Sequence, residues 1–304
     1  MTQFALRRGG RIHASMSRKV FCLIAYSFLA LLALACLLPF IMLISGSFSS
    51  EKAISFTGFG ILPKEFTTEA YRTLLKNPLV ILRAYGVSAL VTVLGTAAGL
   101  LVTALTGYVL SRRDFRYRNR LSFFFYFTTL FNGGMVCTYI FVIRYLGLKD
   151  TYLSLILPHM INVFYLLIMR SFMKSVPVEI IESAKVDGAG EWRIFFQLVL
   201  PLSKAGLATI GLFMALNYWN DWHSAMLYIS SRAKFPLQYM LYDMLSQSEG
   251  MAQMASEAGV AMMDLPSQSL KMAMAVVATG PIVFLYPFVQ RYFVQGITIG
   301  AVKG

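Results

Sequence analysis

Residues 20–45 read VFCLIAYSFLALLALACLLPFIMLIS, an apolar stretch without a single charged side chain. The hydrocarbon core of a bilayer is about 30 Å thick, and about 20 apolar residues cross it as an α-helix. The stretch exceeds that length and lacks the small-residue cleavage site of a secretory signal, so we expect it to remain in the membrane as a helix. Pro39 lies near its end and is expected to kink it.

Stretches of the same kind recur along the 304 residues of the chain. The mean hydropathy is +0.64, and 57% of the residues are hydrophobic while only 13% are charged. A soluble domain of this size needs far more charge to cover its surface. The sequence therefore predicts an all-α fold, a polytopic transmembrane helical bundle forming one domain over residues 1–304. Its six spans are expected at about 20–45, 81–110, 121–143, 152–173, 205–229 and 272–293.

Glycines and prolines mark the expected spans. The second span contains small residues that allow neighbouring helices to approach closely. They are Gly95, Ala97, Ala98, Gly99 and Ala104. The third span is interrupted by Asn132-Gly133-Gly134, and the sixth contains Pro281 and Pro287.

The net charge is +13, and the distribution of the charged residues along the chain fits a membrane topology. Basic residues cluster before the first span and again in residues 111–120, whereas residues 230–269 carry more acids than bases. By the positive-inside rule, both termini and residues 111–120 face the cytoplasm, and residues 230–269 face outward. Because the cations flank apolar spans and do not cover one face of a soluble domain, nucleic-acid binding is rejected.

A charged segment between the fourth and fifth spans, residues 174–201, is expected to form a cytoplasmic loop with helical character. Its centre reads EIIESAKVDGAGEWRIFFQLVLP from Glu179 to Pro201. Ser183 and Ala184 are small enough for a helix to lie close against a partner surface, and Gly188 permits a sharp turn. Glu182 and Asp187 offer polar anchors beside the apolar Trp192. The alternative is an amphipathic helix lying on the lipid, whose polar face is usually basic and not acidic as here.

This loop resembles the EAA motif, the coupling-loop signature of ABC importer permeases. The matching positions are Glu182-Ser183-Ala184, Gly188 and Leu200-Pro201, with Ser183 in place of the usual alanine. The resemblance implies that the loop contacts an ATPase subunit. The residues to which it assigns this role are Glu182, Ser183, Ala184, Asp187, Gly188 and Trp192.

Other segments resemble the oligosaccharide and polysaccharide-fragment (aldouronate-type) branch of the maltose-type carbohydrate permeases. They include Phe131–Met135, Leu146–Thr151, Pro201–Ile210, Trp219-Asn220 and Gly300–Gly304. The resemblance implies a type I ABC importer permease fold in a bacterial cell membrane. It further implies four kinds of partner: a second homologous permease subunit, two ATP-binding subunits, an extracellular solute-binding protein and a carbohydrate substrate. ATP and Mg would bind the partner subunits, and this chain would need no cofactor of its own.

The fifth span carries polar and aromatic side chains suited to a carbohydrate path. At about 1.5 Å per residue from Lys204, Asp221 would lie about 25 Å along the helix, in the outer half of the bilayer. The candidates for the path are Asn217, Trp219, Asn220 and Asp221. An aromatic belt at the membrane interface explains the same residues almost equally well.

Two other functions compete with an ATP-driven importer. An ion-gradient-driven secondary transporter would need acids or histidines deep in several spans, and these are missing from most spans here. A membrane enzyme would need a convergent acid, base or metal set, and His13, His159 and His223 are isolated. The sequence contains no phosphate-binding loop, so we expect no ATP hydrolysis by this chain. Residues 230–269 are expected to contact the solute-binding protein, or else to form a disordered connector.

Overall fold

The computed structural model describes residues 16–257, 268–281 and 283. This part of the chain consists of helices and connecting turns, with one isolated β-bridge between Ser49 and Phe66. In chain order the helices are α1 (Met16–Ser47), α2 (Glu51–Thr57), α3 (Glu69–Leu74), α4 (Pro78–Ser111), α5 (Arg118–Leu130), α6 (Gly134–Tyr145), α7 (Leu153–His159), α8 (Val163–Lys174), α9 (Val178–Val186), α10 (Glu191–Leu202), α11 (Lys204–Asn220), α12 (His223–Tyr228), α13 (Leu237–Glu257) and α14 (268–281).

Two helices, α1 and α4, are each long and apolar enough to cross a membrane. Three further spans are bent pairs of helices: α5 with α6 at 111°, α7 with α8 at 57°, and α10 with α11 at 81°. The expected sixth span begins within α14, and Pro287 with the rest of that span lies outside the described residues. The prediction of an all-helical bundle with about six spans is confirmed.

Local hydrogen bonds explain where the spans break. The Asn132 side chain accepts from the backbone N–H of Gly134, whose φ is 79°, at the bend between α5 and α6. Asn162 caps α8 by accepting from two N–H groups of its first turn. The Asp221 carboxylate accepts from the N–H of Ser224 at 3.0 Å and starts α12. The fifth span therefore ends as a single helix at Asn220 and does not continue to residue 229 as expected.

Helix α4 lies at the centre of the described bundle and packs against both α8 and α11. Small residues repeat along the packed side at a spacing of four. A Cβ atom built on Gly95 would lie 2.6 Å from the Tyr218 ring, and one on Gly107 would lie 2.9 Å from Met169. The expectation of close packing is confirmed for Gly95, Gly99 and Ala104, which are buried, whereas Ala97 is exposed.

Two aromatic side chains bind backbone carbonyls of α14. Proline has no N–H, so Pro281 leaves the carbonyl of Val277 without its helical donor. The Tyr85 hydroxyl donates to that carbonyl at 2.5 Å. The indole N–H of Trp219 donates to the carbonyl of Ala278 at 3.2 Å. These bonds attach α4 and α11 to α14 in an environment where an unsatisfied carbonyl is costly.

The Asp150 carboxylate joins two connectors, residues 146–152 and 229–236, at the end of the bundle opposite Ser111. Asp150, with φ of 57°, accepts from the backbone N–H groups of Ser230 and Ser231 and from the Ser231 hydroxyl at 2.6 Å. The Lys234 ammonium lies 2.9 Å from the same carboxylate. The hydrogen bonds from Ser231 and Lys234 hold the pKa of Asp150 well below its ordinary value.

Within the described part of residues 230–269, Leu237–Glu257 form the helix α13 and not a disordered connector. Leu237, Met240 and Leu241 are buried against the same cluster as Ile81 and Ala84 of α4. The N–H of Leu237 donates to the Ser88 hydroxyl at 2.8 Å. An amphipathic pattern of methionines and leucines therefore forms a packed helix.

We expect Gly95→Ala to destabilise the protein in detergent by about 1–3 kcal/mol, the usual effect of overpacking. The added methyl group would overlap the Tyr218 ring, which its hydroxyl bond to the carbonyl of Ile156 holds in place. Gly86→Ala is the matched control, because Gly86 is exposed on the same helix with nothing within 4 Å. Thermal unfolding should show a lower Tm for the first variant only, and equal Tm values would contradict the packing argument.

Candidate functional site

The loop with the EAA-like motif forms a helix, a tight turn and a second helix. After α9 the N–H of Gly188 donates to the carbonyl of Lys185, and the N–H of Ala189 donates to the carbonyl of Ala184. With Gly188 at φ 77°, this pair of bonds is the Schellman arrangement that ends a helix. The turn predicted at Gly188 is therefore present, and it directs the chain into α10.

The candidate coupling residues lie on both sides of α9. Glu182, Ser183, Asp187, Gly188 and Trp192 are exposed. Ala184 is half-buried with Ala189 against the cluster that contains Ile181 and Phe195. One edge of the helix thus packs on the bundle and the other remains open.

Three exposed apolar side chains flank the turn at Gly188, and we call them together the docking face: Val186, Trp192 and Phe196. Val186 is 88% exposed and Trp192 is 68% exposed. The Trp192 and Phe196 rings stack with centroids 6.0 Å apart and planes 15° apart. Exposed large apolar groups close together on a connecting loop are typical of a protein interface.

A charge cluster of Tyr108, Arg112, Asp114, Lys185 and Glu191 fixes this loop to the end of α4. Arg112 makes a two-pronged contact with Asp114 at 2.6 and 3.0 Å. Lys185 lies 3.0 Å from Asp114 and 2.9 Å from Glu191. The Tyr108 hydroxyl donates to Glu191 at 2.7 Å, and Arg112 lies 3.5 Å from the same carboxylate.

The cluster keeps both of its carboxylates, Asp114 and Glu191, charged at neutral pH. The Arg112 hydrogen bonds, helped by Lys185, lower the pKa of Asp114 to about 2. Burial alone raises the pKa of Glu191, but hydrogen bonds from Tyr108 and Lys185 outweigh it and leave that pKa below its ordinary value. The stabilisation of the folded protein by these two carboxylates is fully present above their ordinary pKa. It is lost as the pH falls through the lowered pKa of each carboxylate in the folded protein. Sequence analysis missed this cluster, although the basic run at 111–120 and the acids of the loop were both visible.

The four candidates for the substrate path separate in the structure. Asn217 and Asn220 are exposed on α11. Trp219 is buried, and its indole donates to the backbone of α14, so it packs the core. The Asp221 side chain is 15% exposed and points to His159.

His159 pairs with two side chains near the end of α11. Its Nε2 lies 2.8 Å from the Ser224 hydroxyl and 3.2 Å from the Asp221 carboxylate. A hydrolytic Ser-His-Asp relay uses the two ring nitrogens separately, so this arrangement is not one. Sequence analysis described His159 as isolated, and its partnership with Asp221 was not foreseen, although ionisable groups in spans usually pair. Among the described residues no group of His, Cys, Asp and Glu could hold a metal ion.

Comparison with known proteins identifies the family. Residues 95–299 match the family described as the inner membrane component of binding-protein-dependent transport systems. The chain belongs to this family. Its members are transport permeases of ABC importers and not enzymes, which removes the secondary transporter and the membrane enzyme as alternatives.

Individual relatives extend the match to nearly the whole permease. The polygalacturonan/rhamnogalacturonan transport system permease protein YtcP of Bacillus subtilis (strain 168) is 42% identical over 95% of this chain and 100% of its own. Protein LplC of the same organism is 41% identical over 96% of this chain and 98% of its own. A chain in the crystal structure of a bacterial ABC transporter that imports the acidic polysaccharide alginate matches with a TM-score of 0.77 and 28% identity. That match covers 96% of this permease and 100% of the other chain.

We expect Glu191→Gln to loosen the loop without unfolding the permease. The amide keeps the size of the side chain but loses the ion pairs to Lys185 and Arg112, a loss of about 1 kcal/mol for a half-exposed network. Hydrogen exchange of the α9 amides and the turn should become roughly fivefold faster.

The matched control is Glu179→Gln on the same loop, since no ion pair of Glu179 is found in the described part of the chain. Exchange in this control should stay at the wild-type rate. An unchanged rate in Glu191→Gln would mean that the charge cluster does not hold the loop.

Proposed function

We propose that this permease is one of two homologous membrane subunits of an ATP-driven importer and that α9 and α10 receive the motion of its ATPases. The proposal rests on one observation: the docking face is exposed on a loop that the charge cluster attaches to the end of α4. Two ATP-binding subunits would carry ATP and Mg, and an extracellular solute-binding protein would deliver the cargo. The permease would then alternate between outward and inward access.

The contacts of the loop favour three helices as the receivers of this motion. The charge cluster joins α9 and α10 to the end of α4. Residues 175–177 join α9 to α8, and the 81° bend at Ser203 joins α10 to α11. The sequence places the loop between the fourth and fifth spans, and the charge cluster adds the second span to the helices that the loop contacts.

Glu182, Ser183, Asp187, Gly188 and Trp192 are proposed as the contacts with the ATPase. A groove of about 640 Å³ lies between α9 and the end of α4, and both Glu179 and Glu182 line it. Ala184 faces the bundle, so its proposed role is to let α9 pack closely and not to touch the ATPase.

The second permease has exposed apolar surface available to it. None of the most apolar 18-residue window of α1 is buried, and α5 has no buried residue. In this family such surfaces are covered by lipid or by another subunit. We assign α5 with α6 to the partner permease and the outer side of α1 to lipid.

The proposed cargo is an oligosaccharide or a polysaccharide fragment. The two relatives above 40% identity and the alginate transporter motivate this, since two of the three names specify a polysaccharide. Asn217 and Asn220 are retained as path residues because amide groups can bond sugar hydroxyls and both are exposed. Trp219 is assigned to packing, and Asp221 to positioning His159.

Coupling is tested by three substitutions in the importer reconstituted with its ATPases and binding protein. Gly188→Leu forces a branched side chain into a left-handed turn and should abolish ATPase association or transport-coupled hydrolysis. Glu182→Lys should do the same by reversing the charge of the exposed anchor. Ser183→Ala, which restores the usual small residue, is the control and should stay near wild type. Full transport by Gly188→Leu with the ATPases bound would refute the coupling role.

The proposed topology has both termini in the cytoplasm of a bacterium. It is supported by the contact between residues 112–114 and the loop, because both must then lie on one side. A reporter fused after Arg118 should be cytoplasmic, and one fused after Ser231 should be outside. Finding both on the same side would contradict the six-span topology.

A further inference from the structure

A cavity of about 340 Å³ opens at the end of the molecule opposite the docking face. One wall comes from α3 and the first turns of α4. The other wall comes from residues 232–235 and the side of α13 that carries Met240, Asp243 and Gln247. Its volume is at the lower end of the range of small-molecule sites, about 300–1,000 Å³.

The rim of this cavity is cationic. Lys76 and Arg83 lie on the α4 side and Arg232 on the other, against the single carboxylate of Asp243. Arg232 lies 4.0 Å from Asp243 and is 76% exposed, so it is only loosely neutralised. Within the described part of the chain, Lys76 and Arg83 form no side-chain hydrogen bond or ion pair. Two positive charges are therefore in excess around one concave surface.

The rest of the lining suits a sugar ring. Leu74, Ile81, Ala84 and Phe235 are buried beneath the cavity and give it an apolar floor. Thr73, Asn77 and Gln247 supply groups that can bond hydroxyls. The cavity also lies at the N-terminal end of the 34-residue helix α4, where the helix dipole adds to the positive potential.

We propose that this cavity binds an acidic saccharide, with Lys76, Arg83 and Arg232 holding a uronate carboxylate and the floor supporting the ring. The inference rests on the proposed function of a carbohydrate importer and names its substrate class. An acidic patch of the binding protein is the other conceivable occupant. A concave site of this size with an apolar floor fits a small ligand better than a flat protein surface.

Helix α13 lies between the cavity and the proposed path. The Gln238 amide donates to the side chain of Asn220 at 3.4 Å, whereas the cavity residues Met240, Asp243 and Gln247 lie on the opposite face of α13. A saccharide held here would therefore be separated from the exposed end of α11 by the width of α13. The site is separate from the docking face and from the charge cluster.

The test uses the assembled importer in nanodiscs without its binding protein. Binding of trigalacturonate is compared with that of its methyl ester, which has the same rings but no charge. Arg83→Gln and Lys76→Gln should each weaken trigalacturonate binding by about tenfold, the loss expected for one charge-assisted bond. Arg72→Gln is the control, because Arg72 lies on α3 outside the cavity lining and removes the same charge.

Several results would overturn the site. They are no binding of trigalacturonate to the wild-type importer, equal binding of acid and ester, or an equal effect of Arg72→Gln. Weaker docking of the binding protein in Arg83→Gln, with unchanged trigalacturonate binding, would assign the cavity to that protein instead. Adding the binding protein to the same nanodiscs and measuring stimulated ATP hydrolysis tests the proposed function independently. The proposed function can therefore hold even if this cavity binds no saccharide.

Discussion

The close contact of α4 with α8 and α11 is the constraint on which the rest of the structure depends. It exists because Gly95, Gly99 and Gly107 present no side chain to the Tyr218 ring, the backbone at Met160 and Met169. In lipid, helices gain no hydrophobic driving force from one another, so close packing and interhelical hydrogen bonds supply the association. Fixing α4 in this way also fixes every group that it carries at either end.

The two ends of α4 have opposite chemical character. At its C-terminal end, Arg112 and the adjacent Asp114 neutralise Glu191 and Lys185, which leaves Val186, Trp192 and Phe196 exposed beside Glu182 and Asp187. At its N-terminal end, Lys76 and Arg83 face a cavity without neutralising partners in the described part of the chain. The charge cluster attaches the C-terminal end of α4 to the loop, and the N-terminal end borders an open cavity. Helix α4 is therefore suited to link the proposed ATPase contact with the proposed saccharide site.

Interhelical polar contacts make the bundle specific. Tyr85 and Trp219 bind carbonyls of α14, Tyr218 binds the carbonyl of Ile156, and Ser88 binds the N–H of Leu237. Each of these bonds joins helices far apart in sequence, and each satisfies a group that lipid would leave unpaired. They define how α13 and α14 lie on α4, which hydrophobicity alone does not specify.

The sequence by itself determined the number of spans, the helical class, the turn at Gly188 and the family, because hydropathy, glycine conformation and a spaced motif are local properties of the chain. Only the tertiary structure decided which polar residues meet. It buried Trp219, left Asn217 exposed, paired His159 with Asp221, and brought Arg112 to Glu191 from 79 residues away in the sequence. Such pairings depend on the angles at which helices bend and cross, and those angles follow from packing between distant segments that no local pattern records.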